Sequence, residues 1–112
     1  MELKSLEERL KYSNKLISMY PDRVPTIIEK GEIKLQNYRY LLPKQMLIRD
    51  FIAILRTKIN ITEKSAIFTF IKSSNNGYVL VPMSETVESM YNLHKCQDNF
   101  LYIKLGIENT FG

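Results

Sequence analysis

Apolar positions recur along the chain with two different periods. Leu6, Leu10, Ser13, Ile17 and Tyr20 are spaced four, three, four and three apart, and Leu3 and Leu16 widen the stripe. That spacing predicts an amphipathic helix over roughly residues 5–19. Pro21 ends it, because proline disfavours helical geometry in the residue before it. Val24 to Glu29 is a short β-branched run and predicts a strand, with Pro25 placed where no ladder bond is required. Gly31-Glu32 or the polar stretch near Gln36-Asn37 supplies a turn, and Tyr38 to Leu42 follows as a second strand closed by Pro43. Ile48, Phe51, Ile52, Leu55 and Ile59 give the clearest helical spacing in the chain. Ala66 to Ile71 predicts a third strand. Ser73-Ser74-Asn75-Asn76-Gly77 is a hairpin signal, because Asn and Gly tolerate the positive φ of tight turns. Tyr78 to Val81 returns as a fourth strand. Val87, Met90, Tyr91 and His94 mark a short helix with Ser84 available as its cap and Glu85 and Glu88 near its positive end. Phe100 to Leu105 is the last strand.

Paired strands with intervening helices argue an α+β fold and not a doubly wound sheet. A hairpin, a helix laid across it and a final strand make a β-grasp, the ubiquitin-like architecture, here with an N-terminal helix packed on the sheet. The last strand is expected centrally, beside the first. The chain divides into an N-terminal helical segment (1–20), a β-grasp body (21–105) and a flexible C-terminal tail (106–112). Fold alone leaves function open.

Composition narrows the function classes. At 112 residues with 45% hydrophobic and 25% charged residues, this is one globular domain with a modest core. No apolar run reaches the length of a membrane span, and Met1-Glu2-Leu3-Lys4-Ser5 lacks the apolar stretch of a secretory signal. Cys96 is the only cysteine, so no disulfide forms within the chain and a reduced setting is expected. A net charge of +4 suits acidic partners without singling out nucleic acid, and no nucleic-acid partner is expected. Lys4, Arg9, Lys11 and Lys15, interspersed with Glu7 and Glu8, read as a solvated helix face. The alternative for them is contact with an acidic partner such as an anionic membrane or tubulin.

Catalytic chemistry finds little support. His94 and Cys96 are two residues apart on or near a helix and do not face each other there. One His and one Cys cannot close a metal site. No glycine-rich phosphate loop occurs. The expectation is a non-enzyme without metal or cofactor. The chemistry that the chain does offer is its last residue. With no Cβ, Gly112 presents an unhindered acyl carbon on a tail that can enter a narrow cleft, as activation and transfer to an amine would require.

Tyr20-Pro21-Asp22-Arg23-Val24-Pro25, followed by Ile27-Ile28-Glu29-Lys30, resembles the signature of the autophagy ubiquitin-like modifiers, the family of GABARAP and the microtubule-associated light chains. Tyr40-Leu41-Leu42-Pro43 resembles that family's Tyr-Leu-Val-Pro. Phe51 to Arg56 with Ile59 resembles its central helix, Asn99 to Ile103 its Phe-Phe-Leu-Tyr-Ile strand, and Phe111-Gly112 its aromatic-glycine end. The likeness runs from about Leu6 to the terminus in unbroken order.

The resemblance implies that Gly112 is adenylated by an activating enzyme, held as a thioester by a conjugating enzyme and transferred to phosphatidylethanolamine. It implies a cytoplasmic protein that moves to autophagosomal or related vesicle membranes. Phe111 and Gly112 would be read by the conjugation machinery and by a cysteine protease that trims any longer precursor. It also implies capture of receptors carrying an aromatic-x-x-aliphatic motif, added as a strand to the sheet edge. Leu16, Pro25, Ile27, Leu41 and Phe100 would line one pocket. Tyr40, Leu42, Pro43, Met46, Phe51 and Ile54 would line the other. Arg23, Arg39, Arg56 and Lys58 would meet acidic residues flanking the motif. Strand alternation puts Arg39 on the same face as Leu41 and Tyr40 on the opposite one.

The chain departs from the family pattern in five places. Only twenty residues run through Tyr20, Tyr12 stands where the family has an acidic residue, and the Ser73–Gly77 hairpin is longer. The connection from Gly31 to Gln36 is shorter, and a basic triplet is reduced to Asn37-Tyr38-Arg39. These mark a divergent member with narrowed or shifted receptor specificity. Two alternatives stand beside lipid conjugation: an unconjugated β-grasp adaptor that binds peptides, and a modifier attached to protein lysines.

Overall fold

The computed structural model describes residues 4–59, 65–73 and 75–109. The elements run α1 (Leu6–Met19), β1 (Arg23–Ile28), β2 (Arg39–Pro43), α2 (Ile48–Arg56), β3 (Ser65–Lys72), β4 (Tyr78–Leu80), α3 (Val87–His94) and β5 (Leu101–Asn109). They form one mixed sheet in the order β2-β1-β5-β3-β4. The expected α+β β-grasp is the fold observed.

β1 and β5 pair in parallel at the centre, with Thr26 opposite Leu101 and Ile28 opposite Ile103. That parallel ladder begins one residue after Pro25. The two hairpin pairs, β1–β2 and β3–β4, are antiparallel, as is β3–β5. β1 is buried from Val24 to Ile28 without alternation, because both of its faces are covered.

One face carries the main core. α2 buries Ile48, Phe51, Ile52 and Leu55 against Val24, Ile28, Leu42, Ile71, Leu101, Ile103 and Leu105. Each such side chain contributes about 1.5–3 kcal/mol by leaving water. α3 adds Val87 and Met90. Arg56 donates two hydrogen bonds to the Ser65 carbonyl, at 2.8 and 3.3 Å, and so clamps the end of α2 to the start of β3.

α1 lies on the other face and packs differently. Its one fully buried residue is Ser13, and Leu6 is 39% exposed. Ser5 caps it, accepting from the Glu8 N–H at 3.1 Å.

Three local expectations change. α3 is capped by Thr86, whose hydroxyl accepts from the Ser89 N–H at 3.1 Å, and not by Ser84, which lies in the preceding turn. In the β3–β4 hairpin the positive φ (68°) belongs to Asn76, while Gly77 has none. The last strand does not stop at Leu105. It pairs with β3 as far as Asn109 opposite Ser65, so residues 106–109 belong to the sheet and not to a tail.

The core contains one buried hydroxyl, Thr69 Oγ1, with no hydrogen-bond partner among the described residues. Thr69→Val keeps the shape and removes the unsatisfied oxygen. The variant should be more stable by about 1 kcal/mol in urea unfolding; a loss of stability would show that the hydroxyl has a partner in solution.

Candidate functional site: the free edge of the sheet

β2 is an edge strand, paired with β1 on one side only. An extended peptide can add to such an edge through its backbone. The register sorts the flanking side chains. Pro25 faces Leu41 and Ile27 faces Arg39 on the α1 side; Val24 faces Leu42 and Thr26 faces Tyr40 on the α2 side. The alternation places two separate apolar sets on either side of one strand.

On the α1 side, Ile27 and Phe100 are closed, at 6% and 2% exposure. Leu16 and Leu41 are half-buried and Pro25 is buried. The Tyr12 ring lies tilted beside that of Phe100, 6.0 Å centroid to centroid. On the α2 side, Phe51 and Leu42 are core residues and form a floor. Tyr40 stands edge-on to Phe51 at 5.2 Å. Met46 and Pro43 are half-buried, and Ile54 is 43% exposed.

The four expected cations do not behave alike. Arg39 and Lys58 are exposed. Arg23 is exposed and its Nη1 donates to the Leu41 carbonyl at 3.3 Å. Arg56 is half-buried, and its Nη1 and Nη2 donate to the Ser65 carbonyl.

Sequence reasoning missed one part of this edge. A cavity of about 490 Å³ opens beside Tyr40, lined by Lys34, Leu35, Gln36, Asn37 and Lys58. The connection between β1 and β2 builds it, and the Tyr40 hydroxyl ties that segment down by donating to the Asn37 carbonyl at 2.9 Å. Burial, followed by the neighbouring Tyr38, pushes the Tyr40 phenol above its ordinary pKa, so it stays a neutral donor.

α1 reaches its place through a polar contact. Asp98 is 4% exposed. Its Oδ2 accepts from Arg9 Nε at 2.9 Å and from the Tyr102 hydroxyl, and its Oδ1 from the Phe100 N–H at 3.1 Å. The Ser13 hydroxyl donates to the Asp98 carbonyl at 2.6 Å. Asn99, at φ 63°, adds a bond to Asn14 at 3.2 Å. Burial, then Asp98, pushes the Tyr102 phenol well up.

Among the described residues no group of His, Cys, Asp and Glu could hold a metal ion. His94 and Cys96 are both half-buried, and burial raises the Cys96 thiol. Phe111 and Gly112 lie outside the described residues. The strand that leads to them is held by the Glu32 carboxylate, which accepts from the Ile107 N–H at 3.0 Å.

Residues 8–112 match the family model described as autophagy protein Atg8, ubiquitin like. The chain belongs to the Atg8 family. Autophagy-related protein 8h of Arabidopsis thaliana is 36% identical over 112 residues, a match covering 96% of this chain and 90% of that protein. Autophagy-related protein 8 of Schizosaccharomyces pombe is 34% identical, with 96% and 88% covered. Among solved structures, Trypanosoma brucei ATG8 superposes with a TM-score of 0.80 at 29% identity, over 99% of this chain and 95% of that one. Plasmodium falciparum Atg8, solved in complex with an Atg3 peptide of the same organism, shares the fold at a TM-score of 0.77 and 21% identity, over 98% and 96%. This Atg8-family chain is therefore an autophagy ubiquitin-like modifier, and its identities of about a third mark it as divergent.

Removing the carboxylate of Asp98 leaves Arg9 and Tyr102 without their acceptor. Asp98→Ala should destabilise the protein by about 2–3 kcal/mol. Hydrogen exchange should show α1 amides losing protection ahead of those in β1 and β5. Uniform loss across the molecule would show that α1 is not held independently by this contact.

Proposed function

We propose that this chain is conjugated through Gly112 to phosphatidylethanolamine and recruits receptors by adding their aromatic-x-x-aliphatic motifs to β2. It is not itself an enzyme in this reading. Activating and conjugating enzymes of the autophagy pathway are its partners in the first activity. The conjugate resides on autophagosomal or related vesicle membranes, and the free protein in the cytoplasm. Two acyl chains hold a protein on a bilayer far better than one myristoyl chain can. Membership of the Atg8 family, whose model the chain matches through Gly112, supports the conjugation.

The observation that carries the second activity is the register of the free edge. A peptide strand lying along β2 would direct alternate side chains to the Leu16–Leu41 side and the Tyr40–Ile54 side. Arg23, Arg39, Arg56 and Lys58, with Lys34 beside Lys58, would face acidic flanks. The Plasmodium falciparum protein of the same fold binds a peptide, from Atg3.

The first test is reconstitution with the activating and conjugating enzymes, ATP and liposomes containing phosphatidylethanolamine, read by intact mass. A gain equal to the lipid less one water, absent in Gly112→Ala, is expected. No adduct, with the enzymes active on a sister modifier, would reject conjugation and leave an unconjugated adaptor. An adduct on protein lysines alone would favour the third class.

For the groove, Leu41→Arg places a charge where a dry contact is required, and affinity for a cognate motif peptide should fall at least ~50-fold with the fold intact. Unchanged affinity would reject the groove.

A further inference from the structure

A second concave site lies away from the β2 edge, where α1, the β3–β4 hairpin and the turn at 96–98 meet. Its volume is about 180 Å³. That is room for about six waters at ~30 Å³ each, enough for a tetrahedral oxyanion but not for a peptide strand. Arg9, Lys72, Asn76 and Gln97 supply its polar lining, with Cys96, Asp98 and Tyr102.

The charges and donors in it are unbalanced. Asp98 is the one carboxylate of the lining, and its two oxygens already accept from Arg9, Tyr102 and the Phe100 N–H. Arg9 compensates that charge in the only ion pair the lining contains among the described residues. Lys72 has no carboxylate partner among the described residues; its ammonium lies 5.5 Å from the centre of the Tyr102 ring. The carboxamides of Asn76 and Gln97 make no side-chain hydrogen bonds to described residues, although the Asn76 N–H bonds the Ser73 carbonyl at 3.0 Å and so holds the hairpin tip in place. Cys96 contributes a neutral thiol, raised first by burial. One uncompensated cation and two free carboxamides, from the β3–β4 hairpin and the 96–98 turn, therefore face a small polar space.

We propose that this cavity binds a phosphomonoester anion, with Lys72 supplying the charge and Asn76 and Gln97 the directed hydrogen bonds. A phosphate group at pH 7 carries about −1.5 to −2 charges and three strong acceptor oxygens, which fits that set. The source is either a soluble phosphate compound or a phosphorylated lipid headgroup, which present the same chemistry. The site shares no residue with the β2 edge and does not depend on the lipidated-modifier reading.

The test uses the full chain in about 0.15 M salt, where diffuse surface attraction is largely screened. Inorganic phosphate and an inositol phosphate are titrated while backbone amide shifts are followed. Saturable shifts at Lys72, Asn76 and Gln97 are expected, and Lys72→Gln should weaken binding about tenfold. Lys11→Gln, on the exposed face of α1, should leave it unchanged. Vesicles of phosphatidylcholine with and without a phosphatidylinositol phosphate separate the sources. Lys72-dependent sedimentation with the phosphorylated lipid assigns the headgroup, and anion binding without sedimentation assigns a soluble compound. No saturation, or equal weakening by Lys72→Gln and Lys11→Gln, would overturn the site. So would binding confined to a phosphopeptide.

Discussion

Asp98 joins the N-terminal helix to the rest of the domain. A carboxylate at 4% exposure is tolerable only when its charge is matched and its lone pairs are filled, and Arg9, Tyr102 and the Phe100 N–H do both. Ser13 adds a bond to the backbone of the same residue. α1 has a weak apolar stripe whose most buried member is a serine, so hydrophobic burial alone would leave its position poorly specified. The polar contact specifies it, and with it one wall of the binding edge.

From there the two faces of the sheet take different tasks. The α2 face is the stability reservoir, where Phe51, Leu55, Ile71, Leu101 and Ile103 are all at most 1% exposed. The α1 face covers only the half of the sheet around β1 and β5. β1 is thereby buried on both sides and acts as a rigid backing for β2. β2 borrows from both layers: Leu42 and Tyr40 reach into the core side, and Leu41 and Arg39 into the α1 side. An edge strand with apolar pockets on both faces is an aggregation hazard unless it is short and flanked by charge. β2 is five residues long, begins at Arg39 and closes at Pro43.

Much of this was legible in the chain. The 48–59 spacing, the β-branched runs and the Tyr-Pro-Asp-Arg-Val-Pro segment placed every helix and strand within a few residues and indicated the family. The alternation Arg39-Tyr40-Leu41-Leu42 already divided the edge into two faces. What it could not show was the state of each residue on that edge. The 48–59 stripe holds Phe51 and leaves out Ile54, yet the resemblance set both in one pocket; in the fold Phe51 is core and Ile54 is 43% exposed. Arg56 and Lys58 look equivalent as cations. One is held by the Ser65 carbonyl and one is not, because that carbonyl arrives from β3.

Local periodicity and side-chain volume depend on neighbours three or four residues away, so the sequence by itself determined the elements, their amphipathic faces and the strand alternation. The terminal glycine and the net charge are likewise properties of the chain alone. The tertiary structure decided whatever rests on partners distant in sequence. Arg9 meets Asp98 across 89 positions, Glu32 meets Ile107 across 75, and β5 finds β3 through to Asn109. The cavity beside Lys72 likewise exists only where three remote segments converge. A polar side chain carries no mark of whether its partner will be water or a group eighty residues away, since that is settled by which surfaces the core brings together.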